Sequence, residues 1–249
     1  MEKLFLVLSI ILIAGTALAE DYLDLNFFIE PKFEHIEMNM VNFLVKNIQN
    51  DSIRQENILA GKILAPPQSD SLTVTFLNLV QPFLASPVDY RFYDKNVDFK
   101  LLISNIESDS IPIIKNAVIE TDSFKVGIFS IYTPDFVVKN KIADHAIFDF
   151  DVFDIASQQA NLLAKHTDYV IMLSNLSKYI DNDIVKELSV DAVISFDYQK
   201  KNNELLSNHL TMFYSILTNQ GNYGKLRLTY RDGKIRENWQ EIEFDVGND

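Results

Sequence analysis

Two stretches decide the fold: Tyr169-Val170-Ile171-Met172-Leu173-Ser174-Asn175 and Asp191-Ala192-Val193-Ile194-Ser195-Phe196-Asp197-Tyr198-Gln199. Each is an apolar run ending in small or polar residues, and one short helical segment lies between them. Strands buried on both faces of a parallel sheet read as such near-continuous apolar runs. In open α/β sheets, sites form beyond the carboxyl ends of the strands, which directs attention to Asn175 and Asp197.

Working outward, residues 23–29 read as a first strand ended by Glu30-Pro31. Over 35–49, Ile36, Met40, Phe43, Leu44 and Ile48 recur at helical spacing, so one apolar stripe faces a sheet. A short strand over 58–60 stops at Gly61-Lys62, and 72–83 reads as a helix closed by Pro82 and Pro87. Alternation of this kind predicts βαβ units and a largely parallel sheet. The middle differs: 99–104, 111–119 and 124–131 are three strand-like runs separated only by turn-like residues, which predicts part of one sheet without intervening helices.

A helix follows over 151–165, with Asp151 at its start and Ile155, Ala156, Ala160 and Leu163 on one face. Phe148, Phe150 and Phe153 read as core residues. The chain then ends in strands over 210–217, 225–230 and 234–244, with Asp232-Gly233 as a hairpin turn. This order predicts an α/β fold of four layers, an αββα sandwich in which two packed mixed sheets are flanked by helices.

The chain has 249 residues, 47% of them hydrophobic, which suits one domain over 20–249. Lys3 precedes an apolar run over 4–14, and Ala17-Leu18-Ala19 offers the small residues a signal peptidase reads, so 1–19 is expected to be a signal peptide. The alternative is a retained anchor, but the run is shorter than the ~20 apolar residues a spanning helix needs. The protein is therefore expected to be exported, periplasmic or secreted, with no membrane partner after cleavage. The absence of cysteine excludes disulfides, thiol catalysis and cysteine zinc sites. A net charge of −13 argues against nucleic acid, whose phosphates need clustered Lys and Arg. A protein or small-molecule ligand is the expected partner.

Several segments carry a resemblance. Leu173-Ser174-Asn175-Leu176-Ser177 is similar to a strand end reading Leu-Ser-His-Leu-Gly, and Ser195-Phe196-Asp197-Tyr198-Gln199 to one reading Gly-Gly-His-x-His. Leu102-Ile103-Ser104-Asn105-Ile106, the stretch from Phe124 through Gly127 to Thr133-Pro134, and Gly221-Asn222-Tyr223-Gly224-Lys225 follow the same pattern in order. Together they resemble the catalytic domain of the 5′-nucleotidase branch of the calcineurin-like metallophosphoesterases.

That resemblance implies a two-metal centre in which the cations activate water and stabilise phosphoryl charge. It also implies where the ligands belong, and this sequence departs there. Glu30 stands near the first motif, Lys62 at the bridging aspartate, Asn175 at one histidine, and Asp197 and Gln199 at two more. No match to the third motif appears between Pro87 and Phe99. An ammonium at the bridging position repels a divalent cation. The reading is a degenerate member of the fold, without catalytic residues or cofactor, in which Lys62 pairs with Asp197 and with Glu30; the bland alternative turns Lys62 to solvent. The competing reading is an active phosphoesterase whose oxygen ligands hold Mg²⁺, Mn²⁺ or Ca²⁺.

Other signals are weaker. His35, His145, His166 and His209 show no metal-binding spacing. Asp144, His145, Asp149, Asp151 and Asp154 suggest either a Ca²⁺ site or, more simply, a helix cap and a solvated face.

Overall fold

The computed structural model describes residues 20–29, 41, 42, 45, 54–60, 82–85, 100–109, 113–135, 146–196, 203–206, 210–215 and 222–243. Two mixed sheets pack face to face. The first contains β1 (Asp21–Ile29), β2 (Arg54–Ala60), β3 (Pro82–Ala85), β4 (Lys100–Leu102), β6 (Ile113–Ile114), β14 (Asn222–Arg231) and β15 (Lys234–Glu243), in the order β15-β14-β1-β2-β3-β4-β6. The second contains β7 (Asn116–Glu120), β8 (Lys125–Ile131), β10 (Tyr169–Ser174), β11 (Ala192–Ser195), β12 (Asn203–Leu205) and β13 (Met212–Ser215), in the order β12-β13-β11-β10-β8-β7. A small pair, β5 (Ile106–Glu107) with β9 (Ile147–Phe148), completes the strands.

Side-chain alternation builds the layers. In β1, Leu23, Leu25 and Phe27 join one buried cluster with Ile171 and Leu173 of β10 and Ile194 of β11, which is the core between the sheets. Val170 and Met172 point the other way, into a second cluster with Val193, Phe213 and the helices α1 (Val152–Leu163) and α2 (Lys178–Ile184). Asp151 caps α1, its side chain accepting from Asp154 N, and Ser177 caps α2. The helical residue Val41 is buried in the first cluster, together with Phe28 and Leu59. The β14–β15 hairpin turns at Asp232 and Gly233, both with positive φ (54° and 74°), the backbone such tight turns require.

The strands over 169–174 and 192–195 are parallel neighbours, with Ser174 opposite Ser195. Three expectations need correction. Residues 72–81 lie outside the described residues, but Pro82 and Phe83, expected at a helix end, open strand β3, where a proline can take the first position of a strand. The run over 111–119 is two strands, because the chain bends at Lys115 and passes from the first sheet to the second; the middle strands thus serve both sheets. Phe150 and Phe153 are exposed (73% and 52%), since α1 buries Ala156, Gln159, Ala160 and Leu163 and Phe153 falls at the edge of that stripe. Phe148 alone of the three packs against the core.

Candidate functional site

The carboxyl ends of the parallel strands of both sheets open on one edge. At the opposite edge, Asp21 at the start of β1 accepts from Ser123 N, just before β8, at 3.0 Å. Beyond the other ends of the same strands, a polar seam joins the sheets. Ser104 N donates to Ser130 O at 2.9 Å, Ser130 N to Ser104 Oγ at 3.2 Å, and the Ser130 hydroxyl to Leu102 O. Asn105 pairs with Tyr132 as a strand would: Nδ2 donates to Tyr132 O at 2.8 Å, and Tyr132 N donates to Oδ1 at 3.1 Å.

Asn175 completes this edge from the second sheet. Its Oδ1 accepts from Thr133 N at 2.7 Å, its Nδ2 donates to Thr133 Oγ1 at 3.4 Å, and it is 6% exposed. The turn after β8 is thus held by Asn105 from one side and Asn175 from the other. Tyr132 and Phe196, whose ring centroids lie 5.4 Å apart, line the inner side of the same edge.

Behind Asn175 sits a carboxyl group the sequence reading missed. Asp181 of α2 is fully buried; Ser174 Oγ donates to its Oδ1 at 2.6 Å, while Oδ2 has no hydrogen-bond partner among the described residues. Burial pushes its pKa up to about 7, against the opposing Ser174 hydrogen bond. Ser195 Oγ, on the neighbouring strand, is likewise buried without a partner among the described residues. The available signal was position: Asp181 shares a helical face with Ile184 and Val185, at i+3 and i+4.

Of the five cleft positions chosen from sequence, Asn175 is placed at the carboxyl edge. Glu30, Lys62, Asp197 and Gln199 lie outside the described residues. The last described residues before them are Ile29 and Ala60, which are register partners, and Phe196, whose N donates to Ser174 O at 3.1 Å. Among the described residues no group of three or more His, Asp and Glu side chains could hold a metal ion. His166 follows the end of α1, its N–H donating to Leu163 O at 2.9 Å.

No protein-family model matches the chain, and no curated protein matches it. Solved structures do. A proposed 5′-nucleotidase of Staphylococcus aureus superposes with a TM-score of 0.66 at 11% identity, covering 90% of this chain and 54% of its own. The NAD nucleotidase of Haemophilus influenzae gives 0.64 at 12%, covering 89% and 49%. A phosphatase of Mycoplasma pneumoniae gives 0.54 at 8%, covering 90% and 94%. The chain has the calcineurin-like metallophosphoesterase fold, in the form seen in 5′-nucleotidases. It spans about half the length of the two nucleotidases. Among the described residues no helix is long and apolar enough to cross a membrane.

Proposed function

We propose that this protein is an exported, catalytically degenerate form of the metallophosphoesterase fold that acts by binding rather than by hydrolysis. The observation that carries the reading is Asn175. It stands where the fold resemblance puts a metal-binding histidine, and its amide oxygen accepts the Thr133 N–H at 2.7 Å inside a nearly closed environment. A histidine ligand instead directs a ring nitrogen at the metal while its other nitrogen donates to the protein. The donor set therefore does not fit a two-metal centre: an amide engaged with its own loop at one position, and by sequence an ammonium at Lys62 where an anion must bridge two cations. In this reading Lys62 takes the place of the lost cations and pairs with Asp197 and Glu30, and Gln199 completes the cleft. Residues 1–19 act as a cleaved signal peptide and 20–249 as one domain.

The nucleotidases and the phosphatase of the same fold define the competing activity, a metal-dependent phosphoric ester hydrolase. Hydrolysis of p-nitrophenyl phosphate in the presence of Mn²⁺, Mg²⁺ or Ca²⁺ separates the two. The proposal expects no metal-dependent rate above that of the Asp197→Ala variant. A metal-dependent rate that Asp197→Ala abolishes contradicts it.

A further inference from the structure

The fold leaves an apolar surface on the rim of the same edge. Ile147 is 74% exposed, Phe150 73% and Phe153 52%, within seven residues of chain. Apolar side chains scattered singly over a surface need no explanation, but three large ones exposed within a single seven-residue stretch point to an interaction site. The backbone that displays them is fixed. β9 pairs with β5, Asp149 N donates to Asn105 O at 2.9 Å, and Phe148 packs on the core beneath Phe150, edge to face at 4.9 Å. Val152 N donates to Phe150 O at 3.0 Å, and Asp151 caps α1 immediately after. The Phe150 ring, held against Phe148, loses little freedom on binding, which is the condition for an aromatic anchor.

Within the described stretch 146–154 every charged side chain is acidic. Asp149, Asp151 and Asp154 are exposed between and beside them, and among the described residues none of the three forms an ion pair. Their hydrogen bonds stay local: Asp149 accepts from Asp151 N, Asp151 from Asp154 N, and Asp154 from Gln158. Inserting the rings into a lipid surface would carry these carboxylates into the headgroup layer. An acidic partner would meet like charge.

We infer that Ile147, Phe150 and Phe153, ringed by Asp149, Asp151 and Asp154, form a docking surface for a protein segment that is apolar and basic, an amphipathic helix with Lys or Arg beside its apolar stripe. The inference rests on the binding reading above and gives it a surface. The phosphatase assay tests that reading, and a peptide titration tests this surface, so either can fail alone.

The experiment uses the mature chain and a fluorescent synthetic helix of Leu and Lys at amphipathic spacing, read by anisotropy at physiological salt. Two control helices carry Glu for Lys or Ser for Leu. The Leu/Lys helix is expected to bind more tightly than either control and to lose affinity roughly tenfold or more with Phe150→Ser/Phe153→Ser. It should also weaken with Asp149→Asn/Asp154→Asn, a change that leaves the rings in place. Equal binding by wild type and Phe150→Ser/Phe153→Ser reduces the attraction to bulk charge and overturns the proposal. So does failure to bind, or wild-type binding to phosphatidylcholine vesicles that the same double variant abolishes.

Discussion

Asn175 Oδ1 accepts the Thr133 N–H at 2.7 Å across 42 residues of sequence, fastening the end of β10 to the turn that follows β8. Asn105 grips the adjacent Tyr132 backbone from the other sheet. Two buried amides thus set the shape of this edge.

Removing either amide strands buried backbone groups. Asn105→Ala and Asn175→Ala should each destabilise the fold by about 1–3 kcal/mol, the cost of leaving such groups unsatisfied. Urea unfolding checks this, with midpoints lowered and slopes unchanged.

Asp181 makes stability depend on pH. Its folded-state pKa of about 7 lies above the ordinary aspartate value of 3.8, so the native state holds the proton more tightly. Stability should fall as pH rises from about 4 through 7, with a full linkage of about 4 kcal/mol as an upper bound. Asp181→Asn keeps an acceptor for the Ser174 hydroxyl and removes the charge. Thermal melts should show the variant gaining on wild type between pH 5 and pH 8, with little difference near pH 4.

Asp24 shows the opposite sign. Its side chain is fully buried on the face of β1 away from the second sheet, held by Arg227 at 2.7 and 2.8 Å and by Lys225 at 2.6 Å. Burial alone would raise its pKa, but the hydrogen bonds from Arg227 and then Lys225 outweigh it and lower the value. Its contribution is therefore present above the unfolded carboxylate range and lost as pH falls through the folded pKa. Asp24→Asn should cost about 2–3 kcal/mol at pH 7, less than a fully buried pair because both cations reach solvent. The loss should shrink in acid, as denaturation at pH 7 and pH 3 would show.

Gly127 lets α1 lie close on β8. A Cβ there would stand 2.9 Å from Leu163 Cδ2 and 3.0 Å from both Leu163 Cβ and Thr167 Oγ1. Gly127→Ala should destabilise by about 1–3 kcal/mol through overpacking, measurable as a lowered Tm.

The central strands β8, β10 and β11 were legible in sequence because both of their faces are buried, leaving runs such as Val170 to Leu173 without polar interruption. The hairpin was legible from Asp232-Gly233. The sheet crossing at Lys115 was not, because no Gly or Pro marks it. Distant hydrogen bonds make the bend: Ser104 Oγ donates to Lys115 O at 2.6 Å, and Lys115 Nζ to Ile106 O at 2.8 Å. Phe150 and Phe153 were misread as core because hydrophobicity alone does not say which side of a helix start is covered. Asn175 was singled out from sequence, but its hydrogen bonds to Thr133 depend on tertiary contact and could not be read from spacing.

The proposed loss of the two-metal centre makes a direct statement about bound metal. Elemental analysis of the mature protein, purified without chelator and dialysed after exposure to Mn²⁺, Zn²⁺, Mg²⁺ and Ca²⁺, tests it most directly. No stoichiometric metal is expected, in wild type and in Asn175→His alike. Two equivalents of metal per wild-type chain, lost on Asp197→Ala, would contradict it.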